Sequence, residues 1–384
     1  MGKGIVKLGE GNWAVKDGNL LAAKETNGRF KNAEFTVTRG TDATYVGRDG
    51  LIANETGDDT PRIDFTDNTD GHLLLEPQST NLIPYSENFE GGSWENASIG
   101  TIPTLDGNYT APDGTNTAYK ISNANQDSFW YYPSVADSDY ARTIWARTVS
   151  GTGTAQLLSH NSNTNNTFTL TETWQRFEIN STTSSTGETG FYAVDFRGSG
   201  TLTELLIWGA QVENLSYATS YIPTNGGQVT RDAETCTGAG EAIDFNSEEG
   251  VLYVEMAALV DDQTYRTISL NDGTNNECVR LRFNTSSNTI NGLVRDGGSG
   301  IAQISYQVSD IKQFHKAAFK YKSGESQLWI DGEQRGVTNT DTFTLSPQTQ
   351  LNFNQGTSSD IFYGKCKAIK VYKDASIDLA TLTS

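Results

Sequence analysis

Short runs of aromatic and β-branched residues, each closed off by Gly, Asn, Ser or Thr, fill this sequence from end to end. SFWYYPSV at 128–135, ARTIWARTVSG at 141–151, GFYAVDFRG at 190–198, GVLYVEMAAL at 250–259 and HKAAFKYKSG at 315–324 are of this kind. Such runs are too brief for amphipathic helices, and no helical period links one to the next. Within HKAAFKYKSG, Ala317, Phe319 and Tyr321 alternate with Lys316, Lys320 and Lys322, which puts one face in a core and the other in water. Turn signals lie between runs, at Asp17-Gly18, Asp49-Gly50, Ser323-Gly324 and Asp331-Gly332. The pattern predicts an all-β protein of antiparallel sheets, with no helix beyond a short one near 377–382.

A chain of 384 residues is long enough for two or three domains. Residues 1–84 are short strands punctuated by glycine, with too few apolar residues to enclose a core. They read as an N-terminal leader that packs on a neighbouring domain or a partner. Residues 85–223 alternate strands with Ser/Thr/Gly/Asn tracts and predict an antiparallel sandwich of jelly-roll type. Residues 224–384 predict a second sandwich, whose core is expected to hold Leu252, Val254, Phe319, Trp329, Ile369 and Val371. Its last strand, CKAIKVYK, is expected to close the sheet with Lys365, Lys367 and Lys370 facing solvent, where they discourage edge-to-edge pairing.

Charge and cysteine narrow the function classes. The formal net charge is −19, and each of the three segments carries more acidic than basic side chains. A phosphate-tracking nucleic-acid face is not expected, nor is attraction to an anionic membrane. No apolar run approaches the ~20 residues of a membrane helix. The start, MGKGIVKLGEGNW, shows no apolar signal segment, so synthesis in a cytoplasm is expected. Cys236, Cys278 and Cys366 form no CxxC pair and no even disulfide set, and read as buried apolar side chains.

Few residues suggest chemistry. In SFWYYPSV, period two puts Phe129 and Tyr131 on one face and Trp130 and Tyr132 on the other. Flat rings cover the apolar face of a sugar, so these four are the candidate glycan-binding residues. One face must be core, leaving at most one pair for a ligand. Of the histidines, His72, His160 and His315 lie near no nucleophile motif and read as surface or strand-end residues. TDNTDGHLLLEP imitates a calcium loop through Asn68, Asp70 and Gly71, but Thr66 and Pro77 stand where key oxygen ligands belong. Turn chemistry explains it.

The closing strands carry a resemblance. FHKAAFKYKSGESQLWIDGEQRGV followed by FYGKCKAIKVYKDASIDLATLTS resembles the end of concanavalin A-like, laminin G-like domains, where a late meander bears an LxxDG hairpin and the last strand leads into a short helix. FTVTRGTDATYVGRDGLIANETGDDTPRIDF, HLLLEPQSTNLIPYSENFE and GAQVENLSYATSYIPTNGGQVTRDAE resemble tailed-bacteriophage virion proteins that join such a leader to a carbohydrate-binding-module-like jelly roll and a laminin G-like domain. The resemblance implies a leader followed by a jelly roll and then a concanavalin A-like sandwich. It also implies a fibre, spike or other appendage subunit on head or tail, located in the virion. Other virion proteins, host-surface carbohydrate and further copies of the chain, most naturally a homotrimer, are the partners it implies. Residues 1 to about 40 would then attach the subunit to the particle, and a chain beginning near Asn32 is expected to fold without them.

No enzyme is expected. Related glucanases carry E-x-D-x-x-E on one strand, where even spacing sets Glu and Asp on one face. EAIDFNSEEG offers only Glu241, Asp244 and Glu248, whose spacing puts the first two on opposite faces. A depolymerase or glucanase on the same sandwich is the alternative, with a bacterial surface adhesin after it. No cofactor is expected except calcium, for which Asp272, Asn275 and Asn276 in LNDGTNNE are the best local oxygen set.

Overall fold

The structure, a computed structural model, describes residues 6–26, 29–55, 59–66, 68–92, 94–96, 100–133, 140–158, 166–180 and 190–384. His160 lies outside them. Two antiparallel β-sandwiches make up the fold, and the first and last thirds of the chain build one of them together. Its larger sheet runs through the strands Arg29–Thr38, Asn19–Thr26, Val6–Gly9, Gly364–Tyr372, Glu249–Ala258, His315–Lys322, Ser326–Ile330 and Glu333–Asn339, in that spatial order. The facing sheet runs Ser299–Gln307, Thr289–Asp296, Cys278–Phe283, Arg266–Asn271 and Gln350–Asn352.

One core fills the space between these sheets, and leader residues supply part of it. Val6, Leu8, Leu20, Ala22, Phe35 and Val37 are buried with Leu252, Val254, Phe319, Ile369 and Val371. The leader strands therefore bury their apolar face on the last segment. A chain beginning near Asn32 would lack Val6, Leu8, Leu20 and Ala22, which counts against its folding. Turns fix the register where the sequence marked them. Asp331 and Gly332 have φ of 52° and 83°, the doubly positive pair of a tight hairpin turn.

Two expectations about the last segment need correction. Trp329 is not in the core: Leu328 and Ile330 point inward, and Trp329 lies half-buried on the other face. There it packs with Val251, Tyr253, Ala318 and Tyr372 beneath the C-terminal helix Leu379–Thr383. Asp378 starts that helix by accepting the Thr381 N–H at 3.2 Å. The closing strand Gly364–Tyr372 is central rather than an edge. Val6–Gly9 and His72–Leu75 share one of its sides and Glu249–Ala258 takes the other. Its lysines are half-buried: Lys367 lies 4.0 Å from the Phe314 ring centre, and Lys370 pairs with Glu10 and sits 5.1 Å from the Tyr253 ring centre.

The jelly roll is inserted between the two parts of that sandwich. One of its sheets runs Glu95–Asn96, Phe129–Tyr132, Phe191–Asp195, Gly153–Gln156 and Thr167–Leu170. The other runs Thr104–Tyr109, Ala118–Ser122, Glu204–Glu213, Ala141–Arg147 and Gln175–Ile179. The chain leaves for it through Ser79–Asn81 and returns through Val229–Arg231, and these two strands pair with each other. Beside them lies a buried ion network. Arg62 contacts Glu76 at 2.9 Å and Glu234 at 2.8 Å, Arg39 reaches Glu234 at 2.9 Å, and Arg231 reaches Glu76 at 2.8 Å. Ser220, from the end of the jelly roll, donates to Glu76 at 2.7 Å. Burial alone would raise the Glu76 carboxyl, but Arg231 and Arg62 hold it down at about 2.

Candidate functional site

The aromatic quartet divides as its spacing requires. Trp130 and Tyr132 turn into the jelly-roll core, where Tyr132 meets Trp94 edge-on at 5.5 Å. Phe129 and Tyr131 face outward beside Tyr192, with Tyr131 stacked on Tyr192 at 5.2 Å and Phe129 at 4.7 Å from it. Arg197 caps Phe129 at 3.8 Å from its ring centre while Asp195 holds the guanidinium at 2.9 Å. Phe129 and Tyr192 keep only 6% and 5% of their surface, so these rings use their faces on one another. Tyr131 is the accessible member, its hydroxyl 3.2 Å from Glu95.

The calcium candidates are engaged within the chain. Asp272 accepts from Thr274, through N at 2.9 Å and Oγ1 at 2.6 Å. Asn275 Oδ1 accepts from Arg295 at 2.8 Å and also from Arg280. Asn276 binds Thr274 and Gly298 through its own backbone. Two guanidiniums thus stand where a divalent cation would need oxygen ligands. Asn68 accepts from the Asp70 and Gly71 N–H groups at 2.9 and 3.1 Å, as a turn residue does. Among the described residues no group of three or more His, Cys, Asp or Glu side chains is placed to hold a metal.

The acidic run 241–248 is engaged within the chain. Glu241 and Asp244 flank a single 3-10 turn, and Lys24 ties them together at 2.7 and 2.8 Å. His315 is buried between Asp331, 2.6 Å from Nδ1, and the Asp310 carbonyl, 3.1 Å from Nε2. His72 is also buried at a strand start, and burial, then Lys365 and Lys367, lowers it to about 4 against the pull of Asp64.

What the quartet does not offer is found on the other jelly-roll sheet. Ile144, Ala146, Phe177 and Ile179 point into the core, so Trp145, Arg147, Trp174 and Arg176 point out. The leader hairpin of Ala43–Val46 and Ile52–Glu55 stands against this face and makes a cleft with it. Two adjoining hollows of about 430 and 630 Å³ share Val46, Ile52 and Trp145. Trp145 and Trp174 line the first with Arg147 and Glu172, and the Trp174 indole N–H is held by the Thr110 carbonyl at 3.1 Å. Arg147 lies over the Trp174 ring at 5.3 Å. The second hollow runs between the sandwiches, past Tyr45, Tyr217, Arg176, Glu178 and His72. Burial raises both phenols. Half-buried indoles with charged hydrogen-bonding groups at their rims suit a ligand with one apolar and one polar face.

The comparisons with known proteins settle no family. No family model matches the chain, and no curated protein matches it. Among solved structures, a leech intramolecular trans-sialidase is 18% identical over 36% of this chain and 23% of its own, with a TM-score of 0.28. The chain thus spans under a quarter of that enzyme. A Bacillus licheniformis beta-glucanase is 14% identical over 38% of this chain and 73% of its own, at 0.28. Domains LG4-5 of the mouse laminin alpha1 chain are 12% identical over 65% and 87%, at 0.29. Scores this low do not establish a common fold.

A third hollow, of about 490 Å³, lies on the same jelly-roll sheet at its Thr104–Tyr109 edge, with Glu87, Asn88, Glu90, Asn116 and Tyr119 in its wall. Burial raises the Glu87 carboxyl above its ordinary range, although Tyr221 donates to it at 2.9 Å. The sequence reading missed both places. Trp145 had a signal, the alternation within ARTIWAR, but which face of that strand is core depends on the partner sheet. Trp174 and Glu87 sit beside turns, where period two gives no direction.

Proposed function

We propose that this chain is a non-enzymatic, carbohydrate-binding subunit of a virion appendage, a fibre or spike of a tailed bacteriophage that holds a host-surface glycan in the tryptophan-lined cleft. The observation that carries the binding half is the pair Trp145 and Trp174, half-buried in one groove with Arg147 and Glu172. Indole faces cover the apolar side of a sugar while carboxylate and guanidinium meet its hydroxyls. The appendage half is supported by the resemblance of the leader and of the stretches flanking the jelly roll to phage virion proteins. Engagement of Glu241 and Asp244 by Lys24 supports the non-enzymatic reading.

Binding of the purified chain to a glycan array and to host cells tests the first half. Wild type is expected to bind, and Trp145→Ala with Trp174→Ala to lose binding while keeping its circular dichroism and a cooperative melt at a somewhat lower temperature. Binding that survives the double substitution would move the site elsewhere. Electron microscopy of virions labelled with an antibody to this chain tests the second half. In this reading the subunit works as a trimer, since several weak contacts on one stalk strengthen attachment by ~10²–10⁴. Sedimentation at micromolar concentration checks it, a clean monomer counting against it.

One observation favours a second reading. Glu87, raised by burial and sharing a polar hollow with Glu90, has the environment of a general acid beside a carboxylate. A depolymerase would release reducing ends from host polysaccharide and lose that activity in Glu87→Gln.

A further inference from the structure

The chain carries a formal charge of −19, yet the tryptophan-lined cleft does not share that imbalance. Arg147, Arg176, Lys312 and Lys365 reach it, against Glu172, Glu178, Asp64 and Glu76. The two sets are not equally engaged. Glu172 accepts the Gly151 N–H at 2.6 Å and Glu178 the Ala218 N–H at 2.9 Å. Asp64 accepts the Val46 and Thr66 N–H groups, both at 2.8 Å, and Glu76 is held by Arg62 and Arg231. Among the described residues, by contrast, no carboxylate pairs with Arg147, Arg176 or Lys365, and Lys312 has only Asp310 at 3.9 Å. Arg176 donates to the Thr219 carbonyl at 2.7 Å and to Thr143 Oγ1 at 3.0 Å, and Arg147 to two carbonyls at 3.4 Å, so Lys365 and Lys312 are the cations of the cleft left without a close partner.

Lys365, with no carboxylate partner among the described residues, and Lys312, with one only at 3.9 Å, leave positive charge in the second hollow that favours a ligand bringing negative charge.

We infer that the cleft takes an acidic saccharide, a sugar ring lying against Trp145 and Trp174 and its oxyanion, carboxylate or phosphate, meeting Lys365 and Lys312 in the second hollow. This rests on the carbohydrate reading above and adds the charge of the ligand. Attraction between exposed charges is screened by salt, whereas ring stacking is not, and the difference makes the two separable.

Calorimetry on the full chain with matched pairs tests it: oligogalacturonate and its methyl ester, sialyllactose and lactose, phosphorylated and dephosphorylated mannan oligosaccharides. The acidic member of at least one pair is expected to bind about tenfold more tightly at low salt, the gap narrowing as the Debye length shrinks. Lys312→Gln with Lys365→Gln should bring that member to the level of its neutral twin and leave the twin unchanged. Trp174→Ala should weaken both. Preference for a carboxylate pair or for the phosphate pair names the oxyanion. Equal binding within every pair, or a preference that survives the lysine substitutions, overturns the inference while leaving the carbohydrate reading in place. Binding of no saccharide overturns both.

Discussion

His72 opens the strand that borders the closing strand and Glu76 follows directly on its end, and both make the fold sensitive to acid. His72 is lowered from 6.5 to about 4 by burial, so the unfolded chain takes up its proton first. Its contribution is full above pH 6.5 and is lost as pH falls towards 4. Glu76 is lowered from 4.5 to about 2, and its contribution is lost as pH falls through that lower window. Urea midpoints measured against pH should fall in two stages, and His72→Asn should flatten the upper stage only. A wild-type midpoint constant from pH 7 to 4 would contradict the burial of His72. Leu328→Ala should cost about 2–5 kcal/mol and Trp329→Ala about 1–2 kcal/mol, because Leu328 fills the core and Trp329 a half-covered outer face. Equal shifts in denaturation midpoint would return Trp329 to the core. Period two told these neighbours apart, but not which of them was inside. Trp329 was expected inside, and the C-terminal helix that covers the outer face shelters the ring there instead.

At the scale of elements, the strands were legible and their neighbours were not. Alternation in CKAIKVYK marked a strand correctly, yet pairing of its first half with His72–Leu75 and its second half with Val6–Gly9 joins residues some 290 and 360 positions apart, which no local pattern records. The jelly-roll aromatics show the same limit: the split of Phe129 and Tyr131 from Trp130 and Tyr132 followed from spacing, whereas the ring of Tyr192 that occupies the outer pair came from another strand. The leader strands behave as core elements, which gives a direct prediction. Removing residues 1–31 takes away Val6–Gly9 and Asn19–Thr26, exposes one side of the closing strand and strips Val6, Leu8, Leu20 and Ala22 from the core. Each buried aliphatic side chain is worth about 1.5–3 kcal/mol, so the loss approaches the ~5–15 kcal/mol that holds a domain together. The truncated chain is expected to be insoluble or to lose its cooperative melt. A soluble product with the wild-type transition would show that these strands are dispensable.

The whole molecule is a sandwich interrupted by a second sandwich, and the interruption has a consequence for folding. Asn81 and Val229, where the chain departs and returns, are paired directly across two antiparallel strands. Opposed residues in such a pair lie about 4.5–5.5 Å apart, close enough for a two- or three-residue turn to join them. Joining 1–81 to 229–384 through Asn-Gly should therefore leave the outer sandwich intact, since its core takes no residue from the jelly roll. The cost falls on the ion network. Glu76 would lose the half-buried Ser220, and Arg231 would lose Ser220 and the buried Thr219. Hydrogen bonds to charged groups contribute about 1.5–3 kcal/mol each, partly recovered from water where the excision opens the site. The joined chain should then melt cooperatively, with near-native β-sheet circular dichroism, at a temperature below that of the intact protein. It should also bind no saccharide, because Trp145 and Trp174 leave with the insert. A joined chain without a cooperative transition would mean that the jelly roll templates the sandwich around it, and that the two fold as one unit.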